Sequence, residues 1–478
     1  MKLYLVHPPS HYSGVVPPLG LAKLAAYVRE RMSDISITAF DLRVESQRRV
    51  FFEAVASEKP DVVGMYGIAP DADLVEALLL RLRPHARYLA LGGPLATVFH
   101  RHALLNYAVD YLILGEGEIP FLKLLSRLKE GREDVSDIQR VFQRGDMDFS
   151  YDPAADLVPD INTLPLPAWD LFDVPAYFRF SHNSMSNVLG RKRVMPVFTS
   201  RGCPFGCAYC HNIFGKKFRP KSPENVLEEI RMLVDRYGVD AIEILDDTAN
   251  LDQGRIMAIL DGIIALGRKL RLTFPNGLRT DLLSEKLIDK LAEAGTYRIS
   301  LGIEVGTRRS QRALHKVQSF GRMERAINYM ASKRSIVIGG FLMIGCPGET
   351  RKEIEATISY ARRLPLDMVS IHIVTPFPGN GIFERLSEER KAQVMAIPPE
   401  RFSYDNMPFT VCELSAEELV RIKRLAYLSF YSDPKRMFSL SRKISLKEFA
   451  TGGYEMLRII SSGRHRLLAD TREGPATA

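Results

Sequence analysis

Short apolar runs alternate with segments of helical periodicity over the first 130 residues of the chain. The runs that predict strands are KLYLV, ISITAFD, DVVGMYG, RYLALGG and VDYLILGEG. Between them, residues 19–31 and 71–82 carry apolar side chains at helical spacing. Strands that alternate with helices form a parallel sheet covered on both faces, so we expect an α/β domain here.

The same alternation resumes at Val194 and continues to about residue 380. Helices such as residues 223–237 and 284–294 separate six predicted strands, which are VMPVFTS, AIEIL, LRLTFPNG, YRISLGIE, IVIGGFLMIG and MVSIHIVT. Ser222 is a predicted N-cap before Pro223, and Gly295 is expected to end a helix. Six βα units in series predict a partial barrel, whose functional residues lie at the C-terminal ends of its strands.

The remaining segments are less regular. At 478 residues the chain is too long for one ordinary core, and the pattern divides it into residues 1–130, 131–190, 191–400 and 401–478. The string LPLPAWDLF, with Trp169, predicts an extended linker that docks on the domains; the alternative is that Trp169 or His182 contacts a substrate. The last segment is expected to be helical, with an amphipathic helix capped at Ser415.

Glycines follow the predicted strand ends of the first domain in pairs. These are Gly64 and Gly67, Gly92 and Gly93, and Gly115 and Gly117, with Glu116 between the last two. Ligands of open parallel sheets bind beyond the carboxyl ends of the strands, where glycine lets them approach the backbone. The repeated pattern favours a ligand site, and tight turns are the alternative explanation of any single pair.

Composition and charge narrow the class of protein. Hydrophobic residues make up 46% of the chain, and no apolar run approaches the roughly 20 residues of a membrane helix. Only five cysteines are present, which argues for a reducing, cytoplasmic location. The net charge of +8 comes without a basic tract, so a nucleic-acid partner is not expected. The basic amphipathic stretch 435–466 predicts either peripheral membrane contact or a helix packed on the barrel.

Three cysteines carry the strongest chemical signal. Cys203, Cys207 and Cys210 lie in RGCPFGCAYCHN, with three residues between the first two and two between the last two. Three thiolates hold three irons of a four-iron, four-sulfur cluster and leave the fourth iron open to a small molecule. A zinc ribbon needs a second Cys-x-x-Cys pair, whereas Cys346 and Cys412 are isolated. The motif therefore predicts a [4Fe-4S] centre and an enzyme.

This cysteine spacing, with Tyr209 just before the last cysteine, resembles the cluster motif of radical S-adenosylmethionine (SAM) enzymes. The resemblance implies a partial (β/α)6 barrel of the TIM type over residues 191–400. It also implies that the cluster cleaves SAM reductively to a 5′-deoxyadenosyl radical, which abstracts hydrogen from an unactivated carbon. An external one-electron donor such as flavodoxin or ferredoxin is then needed, because no flavin or ferredoxin motif is present.

The first domain resembles the flavodoxin-like, cobalamin-binding Rossmann-type module of one radical SAM group. That group contains anaerobic magnesium-protoporphyrin IX monomethyl ester cyclase and hopanoid-type enzymes, and the strings that carry the resemblance are HPPSHYSGVVPPLGLAKLAAYV, LGGPLAT and ILGEGE. It implies that cobalamin contacts the three glycine pairs and Glu116. Pro9 replaces the aspartate that precedes a cobalt-ligating histidine in many cobalamin proteins, so we expect His11 to be a solvated loop residue and no histidine to bind cobalt.

In the barrel, the resemblance implies that SAM contacts Tyr209 and residues at the strand ends, which are Asp246, Asp247, Arg279, Gly302 and Glu304. Asp246 or Asp247 would orient the amino group of SAM, and Arg279 would bind its carboxylate. Two alternatives remain open: Asp247 as a helix N-cap, and Arg279 in a salt bridge with Asp281 or Glu304.

The function implied first is cobalamin-dependent methylation of an unactivated carbon in a hydrophobic or natural-product small molecule. The same radical start without methyl transfer would give ring closure, oxygen insertion or rearrangement. A non-catalytic iron–sulfur or corrinoid sensor is the alternative from another class. Methylthio transfer to tRNA is disfavoured, because no cysteine precedes Cys203 to hold a second cluster.

Overall fold

Two six-stranded sheets dominate the fold. The computed structural model describes the chain except for residues 13–14, 147, 151, 153, 180–192, 212, 403–407, 447–448, 451–452 and 454–478. The strands of the first sheet are β1 (Lys2–His7), β2 (Ser36–Asp41), β3 (Val62–Tyr66), β4 (Tyr88–Gly92), β5 (Tyr111–Ile113) and β6 (Val141–Gln143). The later strands are β7 (Val194–Val197), β8 (Ser200–Arg201), β9 (Arg219–Pro220), β10 (Ala241–Ile244), β11 (Arg271–Leu278), β12 (Thr296–Glu304), β13 (Val337–Ile344) and β14 (Met368–Ile373).

Helices connect most of these strands. They are α1 (Leu19–Arg31), α2 (Glu45–Glu58), α3 (Ala72–Leu82), α4 (Pro94–Val98), α5 (His100–Asn106), α6 (Glu118–Lys129), α7 (Val174–Tyr177), α8 (Pro223–Tyr237), α9 (Gln253–Ala265), α10 (Glu285–Glu293), α11 (Arg308–Ala313), α12 (Phe320–Ala331), α13 (Arg351–Arg363), α14 (Glu388–Met395), α15 (Ala416–Tyr431) and α16 (Pro434–Ser441).

The first sheet has the order β2-β1-β3-β4-β5-β6, and its first five strands in this order are parallel. Successive residues of β1 point to opposite faces. Leu3 and Leu5 belong to the core that also contains residues of α1 and α6, whereas Tyr4 and Val6 belong to the core with α2 and α3. The order 2-1-3-4-5 is that of flavodoxin-like folds, whose ligand crevice lies beside β1 and β3. The predicted α/β fold of the first domain is confirmed.

Strand β6 departs from the prediction, which treated residues 131–190 as a linker. Val141–Gln143 pairs antiparallel with β5, with Leu112 opposite Phe142. Three residues are too few to show a period in the sequence, so only the exposed edge of β5 makes this segment a strand.

The second sheet follows chain order as β14-β13-β12-β11-β10-β7, and all of its pairs are parallel. The Ser222 hydroxyl accepts a hydrogen bond from the Asn225 amide at the start of α8, as predicted for an N-cap. The six predicted strands and the helices between them are confirmed, so the C-terminal strand ends share one edge.

The linker contacts the first domain. Trp169 is 1% exposed, and the Ala168 amide donates to the Ala22 carbonyl of α1 at 2.9 Å. The hydroxyl of Tyr177 donates to Asp41 at the end of β2 (3.1 Å). His182 lies outside the described residues.

The C-terminal helices pack on the barrel. Glu418 completes a capping box with Ser415 at the start of α15. The hydroxyls of Tyr427 and Tyr431 accept hydrogen bonds from backbone amides of the edge strand β14. The Lys443 ammonium lies 2.7 Å from the Asp367 carboxylate, so this basic side chain points inward. In the part of the chain that the structure covers, we find no helix with the length and apolarity needed to cross a bilayer.

Candidate functional site

A long loop carries the three cysteines between the two strands of a hairpin. β8 and β9 pair antiparallel, with Arg201 opposite Arg219, and form the stem of the loop. Gly202 has φ +82°, and a Cβ there would collide with the Lys217 carbonyl. Only glycine therefore allows the chain to turn from β8 into the loop at this position. Cys203 lies at the base of the loop, where its Sγ is 3.3 Å from the Thr248 hydroxyl. We call residues 202–218 the cluster loop.

The second and third cysteines interact with one another. The Cys210 amide donates to the Cys207 carbonyl at 3.2 Å. A hydrogen bond from the Cys210 thiol and, after it, the charge of Lys316 lower the pKa of Cys207 below its ordinary value despite burial. Within the described residues no three His, Cys, Asp or Glu side chains converge on a single metal ion. A four-iron cluster makes a different demand, because each of three irons takes its own thiolate.

A buried ion pair faces the cluster loop at the end of β12. Lys316 Nζ lies 2.6 Å from Glu304 Oε1, and both side chains are almost fully buried. Burial disfavours the charge of Lys316, but Glu304 and Cys207 outweigh it and raise its pKa. Glu304 has φ +62°, a conformation that is costly for a residue with a Cβ. At Gly302 a Cβ would lie 2.8 Å from Glu304 Oε1, so only glycine leaves room for the pair. Tyr209 also contacts Glu304.

The two aspartates at the end of β10 have different environments. Asp246 accepts hydrogen bonds from the Thr199 amide (2.6 Å) and from the hydroxyls of Thr199 and Ser200, both at 2.5 Å. Its carboxylate therefore anchors the end of β7. Asp247 is exposed, although the surrounding protein still shields much of its carboxyl group from water. The resulting loss of water, then the charge of Asp246, raises its pKa to about 6. The N-cap of α9 is Asp252, not Asp247.

Arg279 is held from three sides. Its Nε lies 3.0 Å from Asp281 Oδ1, and its guanidinium stacks over the ring of Phe205 at 3.8 Å from the ring centroid. The Asn250 amide group donates to the Arg279 carbonyl at 2.9 Å. The sequence left open whether Arg279 binds the SAM carboxylate or forms a salt bridge, and the salt bridge with Asp281 is present. The stacking on Phe205 also connects this arginine to the cluster loop.

A cavity of about 400 Å³ lies beyond the carboxyl ends of the first sheet. Six of the seven predicted cobalamin contacts line it, which are Gly64, Gly92, Gly93, Gly115, Glu116 and Gly117. Gly67 does not; its carbonyl accepts the Leu95 amide, and it serves the turn after β3. Cluster-loop residues Ile213 and Phe214 line the same cavity from the other side. The two predicted cofactor sites therefore adjoin.

Two glycines show why this edge is open. At Gly93, with φ +86°, an added Cβ would lie 2.7 Å from the Tyr66 ring and 2.8 Å from the Gly67 carbonyl. Gly115, with φ +71°, lies against Arg140, and its Cβ would be 3.2 Å from the Ile213 carbonyl. A side chain at Gly93 would displace Tyr66, which lines the cavity, and one at Gly115 would press on Arg140 and on the cluster loop. This geometry fits a large flat cofactor that rests on backbone.

Glu116 joins the two sites. Its carboxylate accepts hydrogen bonds from Arg201 Nη1 and Arg219 Nη1, both at 3.1 Å, and another from Arg219 Nη2. Arg201 Nη2 also donates to Glu118 at 2.6 Å. All four side chains are buried. We call these four residues the interdomain clamp; it ties both strands of the cluster-loop stem to the turn that lines the cavity.

The histidines near this cavity have distinct roles. His11 Nε2 lies 2.9 Å from an Asp73 carboxylate oxygen on α3, so it is hydrogen-bonded and partly buried instead of solvated as expected, and it is not among the residues that line the cavity. His7 does line the cavity, and its Nδ1 is 2.9 Å from the Pro8 carbonyl oxygen. Burial and then the nearby Arg43 lower the pKa of His7 to about 4, so the ring is neutral at pH 7.

Sequence reasoning missed Lys316, Arg201 and Arg219. Lys316 lies on a loop, outside the strand-end positions that draw attention in a barrel. Arg201 directly precedes the cysteine motif and Arg219 directly follows the cluster loop. The burial of a charged side chain, however, cannot be predicted from a single sequence. Only a pairing of acidic and basic residues across 85 or 103 positions could have revealed them.

The comparisons with known proteins agree with this geometry. The profile of the Radical SAM superfamily matches residues 197–361, and that of the B12 binding domain matches residues 10–125. An uncharacterized methyltransferase of Pyrococcus horikoshii is 30% identical over 455 residues, which cover 91% of this chain and 93% of that protein. The anaerobic magnesium-protoporphyrin IX monomethyl ester cyclase of Rubrivivax gelatinosus is 25% identical, with 81% of this chain and 70% of that protein covered.

Among solved structures, the fold is similar to that of TsrM from Kitasatospora setae, a radical SAM methyltransferase with cobalamin and a [4Fe-4S] cluster bound. The TM-score is 0.65 at 17% identity, and the match covers 80% of this chain and 74% of that one. A cavity that adjoins the cluster loop, two matching profiles and a relative similar over nearly its whole length support one assignment. The chain belongs to the radical SAM enzymes that also carry a cobalamin-binding domain.

Proposed function

We propose that this enzyme transfers a methyl group from SAM, by way of cobalamin, to an unactivated carbon of a small molecule. One observation carries the proposal: the glycine-lined cavity of the first sheet opens directly against the cluster loop, with Ile213 and Phe214 in its wall. A methyl carrier and a radical source that act on one substrate have to lie side by side, because the substrate carbon must reach both.

The residues present fit both cofactors. Cys203, Cys207 and Cys210 would hold the cluster, and the backbone at Gly93 and Gly115 would support the corrin. When bound, the cluster supplies the electron that cleaves SAM, and cobalamin supplies a carrier for the methyl group.

This chain's own residues then position SAM. The ammonium of Lys316 suits the SAM carboxylate, and the open carboxylate of Asp247 suits its amino group. The stacked Phe205 and Arg279 would form one wall, and buried Tyr209 would keep water out beside Glu304.

The first test is anaerobic reconstitution with iron, sulfide and hydroxocobalamin, followed by desalting and measurement of metal per chain. About four irons and one cobalt are expected. With dithionite and SAM, methyl transfer should yield S-adenosylhomocysteine together with 5′-deoxyadenosine, because one SAM loses its methyl group and another is cleaved. Cys203→Ala should lose the iron and the 5′-deoxyadenosine, and Gly93→Val should lose the cobalt but keep the iron.

A second candidate is a radical reaction without methyl transfer, such as ring closure. The similarity of 81% of this chain to the anaerobic cyclase of Rubrivivax gelatinosus favours this candidate. This candidate predicts 5′-deoxyadenosine without S-adenosylhomocysteine. Four irons without cobalt would also favour it and would contradict methyl transfer through cobalamin.

We further propose a cytoplasmic enzyme that draws its electron from flavodoxin or ferredoxin. The reducing cytoplasm preserves an open cluster, and the excess of positive charge on the chain suits an acidic electron carrier. Reduction of the cluster by flavodoxin that slows at high salt would support this partner. Membrane contact through residues 435–466 stays a prediction, since most of that segment lies outside the described residues.

A further inference from the structure

The wall of the cofactor cavity is mostly apolar on the side of the first sheet that faces α1 and α6. Strands contribute Leu5, Gly64, Ala90 and Ile113, and the two helices contribute Leu21, Leu24 and Phe121. His7 lies two residues beyond Leu5 and ends β1, so its side chain leaves the same face of the sheet. The imidazole therefore lies where this apolar wall meets the carboxyl edge that carries the glycine pairs.

The charged side chains of the wall already have charged partners. The pairs are Arg201 with Glu116 and Glu118, Lys23 with Glu229, and Arg43 with Asp41. His7 lines the same cavity and is 7% exposed. Its Nδ1 lies 2.9 Å from the Pro8 carbonyl oxygen, and no hydrogen bond reaches its Nε2 within the part of the chain that the structure describes. Nε2 is therefore left for a ligand in the cavity.

The ring presents a lone pair at this nitrogen. Because a carbonyl oxygen only accepts hydrogen bonds, Nδ1 carries the proton. Burial and then Arg43 keep the pKa of His7 at about 4, although Asp41 opposes this effect, so Nε2 is unprotonated at pH 7. The ring packs on Tyr66, with centroids 5.1 Å apart. A neutral imidazole held by a backbone carbonyl at one nitrogen and open at the other is typical of histidines that bind metals.

We propose that Nε2 of His7 binds the cobalt of cobalamin as its axial ligand, from the side of the corrin that rests on the first domain. The inference rests on the proposed function, because it concerns the cofactor of that same cavity. His11 is bonded to Asp73 and is not among the lining residues, so it does not compete for cobalt. The sequence-based expectation that no histidine binds cobalt is then wrong, since the ligand comes from the strand end and not from the loop.

The test is electron paramagnetic resonance of the full chain, loaded anaerobically with cob(II)alamin and with the cluster kept oxidised. Cobalt then carries the only unpaired electron. An axial nitrogen splits each cobalt line into a triplet if it is ¹⁴N and into a doublet if it is ¹⁵N. The dimethylbenzimidazole base of cobalamin also contains nitrogen, so protein labelled with ¹⁵N-histidine distinguishes the two sources.

We expect triplets from unlabelled protein and doublets from the labelled protein. His7→Gln should lose the nitrogen splitting but keep its cobalt after desalting, because the corrin still rests on glycine backbone. In His7→Gly, added ¹⁵N-imidazole should restore a doublet. His11→Gln and His85→Gln are the matched controls and should keep the splitting, since the first changes the loop and the second an exposed position.

Three results would overturn the inference. Triplets that persist after labelling would assign the nitrogen to dimethylbenzimidazole. Lines without nitrogen splitting would mean that Nε2 bonds to a corrin carboxamide or to water. An unchanged spectrum in His7→Gln would exclude this histidine. The labelled wild-type protein decides the matter even if the variant does not fold.

The axial ligand and the proposed function fail in different ways. Cobalt content and formation of S-adenosylhomocysteine are measured on the same wild-type preparation. If both are present without histidine splitting, only the axial ligand is wrong. If both are absent, the proposed function is wrong.

Discussion

At the scale of single residues, the site depends on buried charges that face one another in pairs. Lys316 with Glu304 and Arg279 with Asp281 both lie beside the cluster loop. Separating a buried pair leaves one charge without a partner, which costs more than the pair itself contributes. Single substitutions here should therefore affect cofactor binding strongly.

Lys316→Met should weaken SAM binding at least about tenfold, because it removes a charged donor and leaves Glu304 buried without its partner. Equilibrium dialysis of SAM against the reconstituted protein measures this. Lys333→Met is the matched control, since Lys333 pairs with Asp289 at the surface. Equal SAM affinity in Lys316→Met and wild type would remove Lys316 from the cofactor site.

His7 gives a prediction for the pH dependence of stability. Its pKa is about 4 in the folded protein against 6.5 as the ordinary value, so the unfolded chain binds the extra proton first as pH falls. The free energy of unfolding should thus decrease from pH 7 to pH 4, by up to roughly 3 kcal/mol from this group. In His7→Gln that part of the pH dependence should vanish in urea unfolding, whereas it should persist in His85→Gln, which alters an exposed histidine. A pH profile unchanged in His7→Gln would contradict the assignment.

At the scale of elements, strand ends place the chemistry and helices protect the sheet edges. Asp246 follows β10, Glu304 ends β12 and Gly345 follows β13, and these residues lie at one edge of the sheet because the strands are parallel. The free edge of β14 is covered by α15, whose tyrosine hydroxyls accept from the Val369 and Ile371 amides. An uncovered edge would expose unpaired amides to other chains.

Tyr427→Phe should lower the free energy of unfolding by about 1–2 kcal/mol, because the Ile371 amide loses its acceptor at 2.9 Å. Urea unfolding measures the change. Tyr329→Phe is the control, as its hydroxyl meets Asp289 at the exposed surface, where water replaces the lost contact. If the two variants were equally stable, α15 would not protect the edge through this bond.

At the scale of the whole molecule, the interdomain clamp fixes the cluster loop relative to the turn that lines the cavity of the first domain. The side chains of Arg201 and Arg219, in the stem of the cluster loop, donate hydrogen bonds to Glu116 in the turn of the first domain. A second buried contact, Lys23 to Glu229 at 3.3 Å, ties α1 to α8. The clamp therefore makes the position of the cluster depend on the fold of the first domain.

Glu116→Gln should destabilise the protein by about 3–5 kcal/mol, since two buried guanidinium groups lose their shared charge. The measurement is urea unfolding, with Glu30→Gln as the control because Glu30 pairs with Arg31 at the surface. In the loaded protein, the magnetic coupling between cob(II)alamin and the reduced cluster should also change. A variant with unaltered stability and coupling would show that the clamp does not position the sites.

Much of this protein followed from local pattern. Five strands of the first sheet, six of the second and the helix caps at Ser222 and Ser415 lie where the local sequence predicted them, because each depends on its own residues and their neighbours. The domain boundaries and the roles of Asp246, Asp247, Arg279 and Glu304 stay predictions. Strand β6 was not predicted, because a segment of three residues forms a strand only where the edge of an existing sheet, here β5, is available for pairing.

The sequence by itself determined the fold class and the cluster chemistry, because hydrophobic period and cysteine spacing are properties of neighbouring residues. Only the tertiary structure decided which side chains share the cleft. It turned Asp246 inward, left Asp247 open, paired Lys316 with Glu304, and brought Glu116 to two arginines that lie 85 and 103 positions away. Contacts over such distances depend on how the two sheets pack, which no local pattern encodes.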